Sequence, residues 1–129
     1  MSIEHILIID DDPLLQEFLF ELLSSRGYFP SVAENISIAK KKIKANRYDL
    51  IISDMNMPDG TGMDVIHLTK QRSPRTPILM ITAYGSIENA VEAMRQGAFN
   101  YLTKPFSSEA LLAFISKAEE LQNLVQENL

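Results

Sequence analysis

The sequence contains no cysteine among its 129 residues, and this absence removes several classes of function. A disulfide framework, a thiolate metal site and a cysteine nucleophile are all excluded, and the composition fits a reducing compartment. Glycine and proline are also scarce, at 5 and 6 residues, whereas 46% of the residues are hydrophobic and 22% are charged. These proportions are typical of one globular domain and not of a disordered chain.

Long apolar runs and an excess of positive charge are missing as well. No stretch approaches the roughly 18 apolar residues of a membrane helix, and Glu4 stands where a signal peptide would carry positive charge. We therefore expect a cytoplasmic protein that does not contact membranes. The formal net charge of -5 argues against direct nucleic-acid binding by this chain, because a phosphate backbone requires a basic face.

Short apolar runs alternate with amphipathic stretches along the chain. Each run is nearly continuous in hydrophobicity and too short for a helix, which is typical of strands buried on both faces of a parallel sheet. Pro30 places the second strand at an edge, since proline cannot donate a ladder hydrogen bond. The pattern predicts a doubly wound α/β domain of five strand-helix units. The predicted strands are residues 5–9, 28–33, 49–53, 77–81 and 99–103.

Helical spacing of apolar residues follows each predicted strand. The five helices are predicted to begin at Asp12 with Pro13, at about Ile36, near Gly60, at Ser86 as an N-cap, and after Ser107. The last helix keeps a 3,4,3,4 apolar spacing without a Gly or Pro before Leu129. We expect residues 1–120 to form the domain and residues 121–129 to begin a helical linker to domains absent from this chain. The alternative is a C-terminal helix that frays into solvent.

Three consecutive aspartates follow the first strand. Asp12 precedes Pro13 and is explained as a helix N-cap, whereas Asp10 and Asp11 have no such explanation. They lie at the carboxyl edge of the predicted sheet, where open α/β sheets build their sites. The sequence therefore predicts a functional site at this edge.

Other reactive side chains end the remaining central strands. Asp54, Thr82 and Lys104 each follow an apolar run, so parallel pairing would bring them towards the two aspartates. Carboxylates about 4 Å apart repel by roughly 4 kcal/mol at an effective dielectric constant of 20. A magnesium ion suits a small oxygen-rich site of this kind and would offset the repulsion. Asp54 is then placed to attack phosphorus and to form an acyl phosphate.

Four segments carry a resemblance to a known family. They are "DD" at 10 and 11, "DMNMPDGTG" at 54–62, "TAYG" at 82–85 and "YLTKPF" at 101–106. In this order and at these strand ends, the sequence resembles the response-regulator receiver domains of two-component signalling. The resemblance implies a flavodoxin-like (CheY-like) fold with strand order 2-1-3-4-5 and five helices.

The resemblance also implies roles for single residues. Asp54 would accept a phosphoryl group from a sensor histidine kinase, and Asp10 and Asp11 would hold Mg²⁺ together with Asp54 and the backbone carbonyl of Asn56. The chain would be a regulatory domain that catalyses only its own phosphorylation and dephosphorylation, and not an enzyme acting on other substrates.

Further roles follow from the same resemblance. Thr82 and Lys104 would bind the phosphoryl oxygens, a cis peptide is expected at Lys104–Pro105, and Tyr101 would be the aromatic switch residue. Phosphorylation would draw Thr82 inward and let Tyr101 turn towards the interior. The residues that would tune access to the phosphoryl group and its lifetime are Asn56, Ala83 and Tyr84.

The segment "TAYGSIENAVEAMRQGAFNYLTKPF" at 82–106 is similar to receivers of NtrC-type activators, which work with the alternative nitrogen sigma factor. This similarity implies transcriptional regulation through further domains, and a homodimer formed through the fourth helix, the fifth strand and the fifth helix. A standalone chemotaxis-like receiver is the alternative within the family.

Two other classes use similar parts. A haloacid-dehalogenase-type phosphatase would have Asp10 as its nucleophile in a DxDxT/V pattern, where this sequence has Leu14. A flavodoxin-like flavin binder would need a Ser/Thr/Gly phosphate loop after the first strand, where aspartates would repel the flavin phosphate.

Overall fold

Five long strands in the computed structural model follow the five apolar runs, and each is followed by a helix. The structure describes residues 3–83 and 87–127, with the side chains of the last helix described through position 123. The elements in chain order are β1 (His5–Ile9), α1 (Pro13–Ser25), β2 (Phe29–Ala33), α2 (Ile36–Ala45), β3 (Leu50–Asp54), β4 (Asn56–Met57), β5 (Gly60–Thr61), α3 (Gly62–Arg72), β6 (Ile78–Thr82), α4 (Ile87–Gln96), β7 (Asn100–Thr103) and α5 (Ser108–Glu127). The predicted strands and helices are thus confirmed, with bounds that shift by one or two residues. The predicted N-cap Ser86 lies outside the described residues.

The long strands form one parallel sheet of order β2-β1-β3-β6-β7. Counted along the chain without the short β4 and β5, this is the predicted order 2-1-3-4-5. Pro30 lies on the edge strand β2, opposite Ile6 of β1. Strand β2 pairs with β1 alone, and this edge position tolerates Pro30, which has no N–H to donate to a second neighbouring strand.

Alternate residues of each central strand point into two separate cores. In β1, Leu7 and Ile9 pack into the core under α2, α3 and α4, whereas Ile6 and Ile8 pack into the core under α1 and α5. All four side chains are fully buried. Burial on both faces explains why the strands read as continuous apolar runs and not as alternating ones.

The helix starts are built by side-chain caps. Asp12 Oδ1 accepts a hydrogen bond from Leu14 N at 3.0 Å, as the Asp-Pro pair predicted. Asn35 caps α2 through Ile38 N at 2.8 Å, and Thr61 forms a capping box with Asp64 at the start of α3. Each cap satisfies an amide that the helix itself leaves without a partner.

Two local features differ from the sequence expectation. Residues 56–61 form a two-stranded antiparallel hairpin, β4 with β5, before α3 begins at Gly62. In α4, the buried residues are Ala90 and Ala93, whereas Val91 and Met94, the large apolar residues at helical spacing in this segment, are 50% and 38% exposed. Helical spacing reveals an apolar stripe but does not show which of two adjacent stripes faces the sheet.

The last helix, α5, is 20 residues long and leaves the domain near its middle. Leu111, Ile115 and Ala118 are buried against the sheet, and Leu121, one turn later, is 42% exposed. Among the residues that the structure describes, no helix combines the length and the apolar character needed to cross a membrane.

Candidate functional site

The carboxyl edge of the sheet gathers the acidic residues that the sequence singled out. Ile9 of β1 lies opposite Ser53 of β3, so Asp10 and Asp54 follow at the same level. One carboxylate oxygen from each of Asp10, Asp11 and Asp54 lies within 4.8 Å of the others. Asp10 and Asp54 are 1% and 7% exposed, whereas Asp11 faces solvent. The site is therefore an acidic pocket with a buried floor and an open rim.

Lys104 is the cation of this pocket. Its Nζ donates to Asp54 Oδ2 at 3.1 Å and lies 3.2 Å from Asp10 Oδ2. The backbone places it there, because Lys104 N donates to Thr82 O at 2.8 Å directly after β7. The peptide bond between Lys104 and Pro105 is cis, as expected from the family resemblance. One ammonium thus faces two carboxylates, and the pocket keeps an excess of negative charge.

The electrostatics of the pocket reflect this imbalance. Burial raises the pKa of Asp10, and the nearby Asp54 charge acts in the same direction, although the Asp12 amide and Lys104 oppose both. Burial alone would lower the pKa of Lys104, but its hydrogen bond to Asp54 and the charges of Asp10 and Asp54 outweigh that effect and raise it. The ammonium is therefore held in its charged form, whereas the charge of Asp10 is disfavoured.

Local backbone bonds orient the two buried carboxylates. Asp12 N donates to Asp10 Oδ1 at 2.8 Å, and Asn56 N donates to Asp54 Oδ1 at 3.2 Å. Gln16 Nε2 of α1 donates to the backbone oxygen of Asp10 at 2.5 Å. Gly62 packs closely against this region, since a Cβ there would lie 2.7 Å from Met80 Cε and 3.2 Å from the Asp54 carbonyl oxygen.

The donor set fits a hard divalent cation. Asp10 Oδ2 is buried, and no described residue gives it a hydrogen bond of acceptable geometry; its close contact is the Lys104 ammonium. Three carboxylates, one of them exposed to solvent, form the oxygen-rich, partly hydrated environment that Mg²⁺ prefers. The exposed Asn56 follows Asp54 by two residues, and its N–H donates to Asp54 Oδ1.

The remaining predicted site residues lie around this pocket. Thr82 ends β6 and is 2% exposed, next to the strand that carries Asp54. Tyr101 of β7 is half-buried and packs against the core under α4, while Ala83 is exposed. Tyr84 lies outside the described residues. The structure thus brings the acidic residues and Lys104 together, and the roles assigned to the surrounding residues stay predictions.

The sequence did not predict the hydrogen bonds that connect the β4–β5 hairpin to the start of α2. Asp59 precedes Gly60 in a local pattern typical of a turn, but its carboxylate accepts hydrogen bonds from Ile36 N at 2.8 Å and Ser37 N at 3.0 Å. These bonds lower the pKa of Asp59. Asp59 therefore helps to cap a helix that begins 23 residues earlier in the chain.

The doubly wound sheet with an acidic pocket at its carboxyl edge defines a class of α/β domain in which the site lies at the ends of neighbouring strands. The particular family follows from comparison with known sequences. Residues 6–116 match the family described as response regulator receiver domain, and the chain belongs to this family. The confirmed strand order is that of the flavodoxin-like receiver fold.

Similar proteins include larger regulators, of which this chain matches one part, and solved receiver domains. Response regulator protein PilR of Pseudomonas aeruginosa is 38% identical over 123 residues, which are 95% of this chain and 28% of that protein. The beryllofluoride-activated NtrC4 receiver domain dimer has a TM-score of 0.84 and 38% identity, covering 90% of this chain and 96% of that one. NtrX from Brucella abortus has a TM-score of 0.90 and 28% identity, covering 98% of this chain and 29% of that one.

These comparisons show which branch of the family the chain is related to. It is a receiver domain related to those of NtrC-type activators, and it spans about a quarter of the length of the curated relatives that it matches. Family membership decides against the haloacid-dehalogenase-type phosphatase and the flavin binder considered from the sequence.

Proposed function

We propose that this chain is the phosphorylation-dependent switch of a two-component system, in which Asp54 accepts a phosphoryl group from a sensor histidine kinase. The observation that carries the proposal is the acidic cluster within 4.8 Å, with one ammonium 3.1 to 3.2 Å from its two buried members. Three like charges gathered at one edge oppose folding unless a cation offsets them. A phosphoacceptor site explains why the fold gathers them.

The chain's own residues supply three parts of the proposed transfer. Asp54 provides the attacking oxygen, which forms the bond to phosphorus as the bond from phosphorus to the donor's histidine nitrogen breaks. Lys104 exchanges its contact with Asp54 for one with a phosphoryl oxygen, since a compact ammonium pairs with either anion. Thr82 donates its hydroxyl to a second oxygen.

Asp10, Asp11, Asp54 and the carbonyl of Asn56 would hold Mg²⁺. The ion would neutralise the charge that develops on the transferring group. Ala83 is small and exposed beside Thr82, which keeps the phosphoryl group accessible to water. Asn56 and Tyr84 would then set the lifetime of the acyl phosphate.

The test is phosphorylation by acetyl phosphate in the presence of Mg²⁺, followed by intact-protein mass spectrometry. The wild-type chain is expected to gain one phosphoryl group, and Asp54→Asn none. Asp12→Asn is the matched control, because it removes a neighbouring carboxylate while Asn remains an equivalent helix cap. Phosphorylation that persists in Asp54→Asn, or that is lost in Asp12→Asn as well, would contradict the assignment.

The switch itself is proposed to connect Asp54 with Tyr101 through Thr82. The phosphoryl group adds about -1.5 to -2 charges and three acceptor oxygens at pH 7. An inward move of Thr82 would free space for the half-buried Tyr101 and alter the surface formed by α4, β7 and α5. NMR of the beryllofluoride-treated domain should report changed environments for both residues. Unchanged signals from both would exclude this relay.

The same surface is proposed to form a homodimer. Ile87, Val91 and Met94 of α4 are 65%, 50% and 38% exposed, which is unusual for large apolar side chains grouped on one helix. The similar NtrC4 receiver forms a dimer in its beryllofluoride-activated state. Sedimentation of beryllofluoride-treated Val91→Lys should show monomers, whereas Leu14→Lys, on exposed α1, should still dimerise. A dimer that survives Val91→Lys would rule out this surface.

We further propose that residues 1–120 are the receiver and that residues 121–129 begin a helical linker to the rest of a cytoplasmic NtrC-type transcriptional activator. The exposure of Leu121 beyond the buried Ala118 supports this boundary. In such a protein, other domains would contact DNA, in keeping with the net charge of -5.

A further inference from the structure

A second concave site lies at the opposite, amino-terminal edge of the sheet. It is a cavity of about 380 Å³ between the loops that precede β3, β6 and β7 and the middle of α5. We call it the basal cavity and define it by three cations, Arg47, Lys70 and Arg75, and three apolar side chains, Tyr48, Phe99 and Leu121. Its volume falls within the roughly 300–1,000 Å³ of small-molecule sites.

The cations of the basal cavity have no ion-pair partner among the side chains that the structure describes. No ion pair joins Arg47, Lys70 or Arg75 to a carboxylate among the described side chains. Asp49 is the one acidic residue in the lining, and its Oδ2 already accepts hydrogen bonds from Glu4 N at 3.0 Å and His5 N at 2.9 Å. The lining therefore has a net positive charge, with three cations and one carboxylate, and can attract an anion from outside.

The surrounding surface strengthens this positive charge. A neighbouring cavity of about 490 Å³ shares Arg47 and Arg75 and adds Lys44 and Arg72 to its lining. Five of the 12 Lys and Arg residues thus lie at this edge of a chain whose net charge is -5. Such a concentration of one sign raises the local concentration of ligands of the opposite sign.

The Lys70 side chain passes close to a glycine. A Cβ at Gly97 would lie 2.6 Å from Lys70 Cε, so the lysine stem runs alongside the backbone of residue 97. Its Nζ lies 3.4 Å from the Pro74 carbonyl oxygen. Lys70 is an exposed residue and contributes a solvent-accessible cation to the cavity lining.

Apolar side chains also line the cavity. Tyr48 is 8% exposed and contributes a buried ring, Phe99 packs against the core under α5, and Leu121 presents an exposed side chain from α5. A ligand that fills this space would contact these apolar side chains and the cations of the same lining. It must therefore combine an apolar body with an anionic group.

We propose that the basal cavity binds a small organic carboxylate with an apolar body. Arginine matches carboxylate geometry, because its planar fork donates two parallel hydrogen bonds. The site does not depend on the proposed phosphoryl chemistry, since the two lie at opposite ends of β3, β6 and β7. Binding is accordingly expected to persist in Asp54→Asn.

The test is amide NMR of the full chain titrated with octanoate, with octanamide as the neutral probe of the same shape. Octanoate should shift signals of residues 46–49, 73–77 and 97–99 and saturate. Octanamide should bind at the same place about tenfold more weakly, because it lacks the charge-assisted hydrogen bonds. The double variant Arg47→Gln with Arg75→Gln should weaken octanoate to the level of octanamide and leave octanamide unchanged.

A control variant separates the site from net charge. The double variant Lys41→Gln with Arg95→Gln also removes two positive charges, but from positions on α2 and α4 that lie outside the linings of both cavities. It should bind octanoate as the wild type does. The proposal is overturned if octanoate does not saturate, if it shifts the exposed face of α4 instead, if octanamide binds equally well, or if the control variant loses as much affinity as the cavity variant.

Discussion

The two edges of the sheet carry charges of opposite sign. At the carboxyl edge, three aspartates surround one lysine, and two of the carboxylates are nearly excluded from solvent. At the amino edge, three cations line the basal cavity without an ion-pair partner among the described residues, and Arg47 and Arg75 remain at the surface. Between the edges, strands β3 and β6 are buried along their whole length and are mostly apolar.

The difference lies in burial, and it determines how much each charge affects folding. A buried charge depends on its partners because burial removes its hydration, whereas an exposed charge keeps its water. Changes at the acidic edge should therefore alter stability, and changes at the basic edge should alter binding alone. The apolar strands between them should matter more to stability than either edge.

The largest effect is expected from the separating strands. Ile52 of β3 is 1% exposed, and Ile52→Ala should reduce the free energy of unfolding by about 2–5 kcal/mol through lost burial and a residual cavity. Ile87→Ala is the matched control, since Ile87 is 65% exposed and its truncation should cost less than about 0.5 kcal/mol. Urea unfolding of both variants measures the difference. Equal losses would mean that the strand interior is not the stabilising part.

The next effect concerns the one cation of the acidic pocket. Lys104→Met should lower the free energy of unfolding by about 1–2 kcal/mol in Mg²⁺-free buffer, because two buried carboxylates lose their hydrogen-bonded or ion-paired partner and Lys104 itself is partly solvated. Lys41→Met, at an exposed position on α2, should leave stability nearly unchanged. An unchanged unfolding midpoint in Lys104→Met would show that solvent already screens the pocket.

A smaller effect of opposite sign is expected at Asp10. Asp10→Asn should raise the free energy of unfolding at pH 7 by about 1 kcal/mol without Mg²⁺, because it removes a buried like charge while an amide oxygen can still accept from Asp12 N. Arg75→Gln, at the solvated edge, should change it by less than about 0.5 kcal/mol.

The pH dependence of the Asp10 variant has a definite sign. The pKa of Asp10 is raised in the folded state, so the folded wild-type chain holds this proton more strongly than the unfolded chain does. The contribution of Asp10 to the free energy of unfolding is therefore fully present below the ordinary carboxyl pKa of the unfolded chain. It decreases as the pH rises through the raised pKa of the folded chain. The advantage of Asp10→Asn should vanish in acid and grow towards neutral pH. A constant advantage across this range would contradict the buried-charge explanation.

The fold and the acidic pocket could be predicted from sequence because both depend on local patterns. Continuous apolar runs identified the strands, and the rule that parallel strands end at one edge placed Asp10, Asp54 and Lys104 together. The basal cavity could not be predicted in this way. Arg47, Lys70 and Arg75 lie in three separate segments among ordinary surface charges, and only the packing of loops against α5 reveals that they share a cavity.

The sequence also did not predict which face of α4 packs against the sheet. Val91 and Met94 have the apolar spacing of a buried stripe, yet Ala90 and Ala93 face the sheet. A period of 3.6 residues is compatible with either stripe, and the choice depends on how closely the helix approaches β6. Sequence patterns thus identify an amphipathic helix more readily than the direction that it faces.

The smallest effect is expected at Asp59, whose bonds to α2 join segments 23 residues apart and left no local signal. Asp59→Asn should lower the unfolding midpoint slightly at neutral pH, because the amide can accept one of the two bonds but lacks the charge that favours a helix N-terminus. The hydrogen bonds from Ile36 and Ser37 lower the pKa of Asp59, so its stabilising effect is present above the unfolded pKa and is lost as pH falls through the folded value. Thermal unfolding of the two chains should therefore differ at neutral pH and converge in acid. Glu88→Gln removes a carboxylate from the first turn of α4 and separates the contact between the hairpin and α2 from a general effect of charge at a helix start. An equal pH-dependent difference in both variants would show that the tie between the hairpin and α2 adds nothing specific.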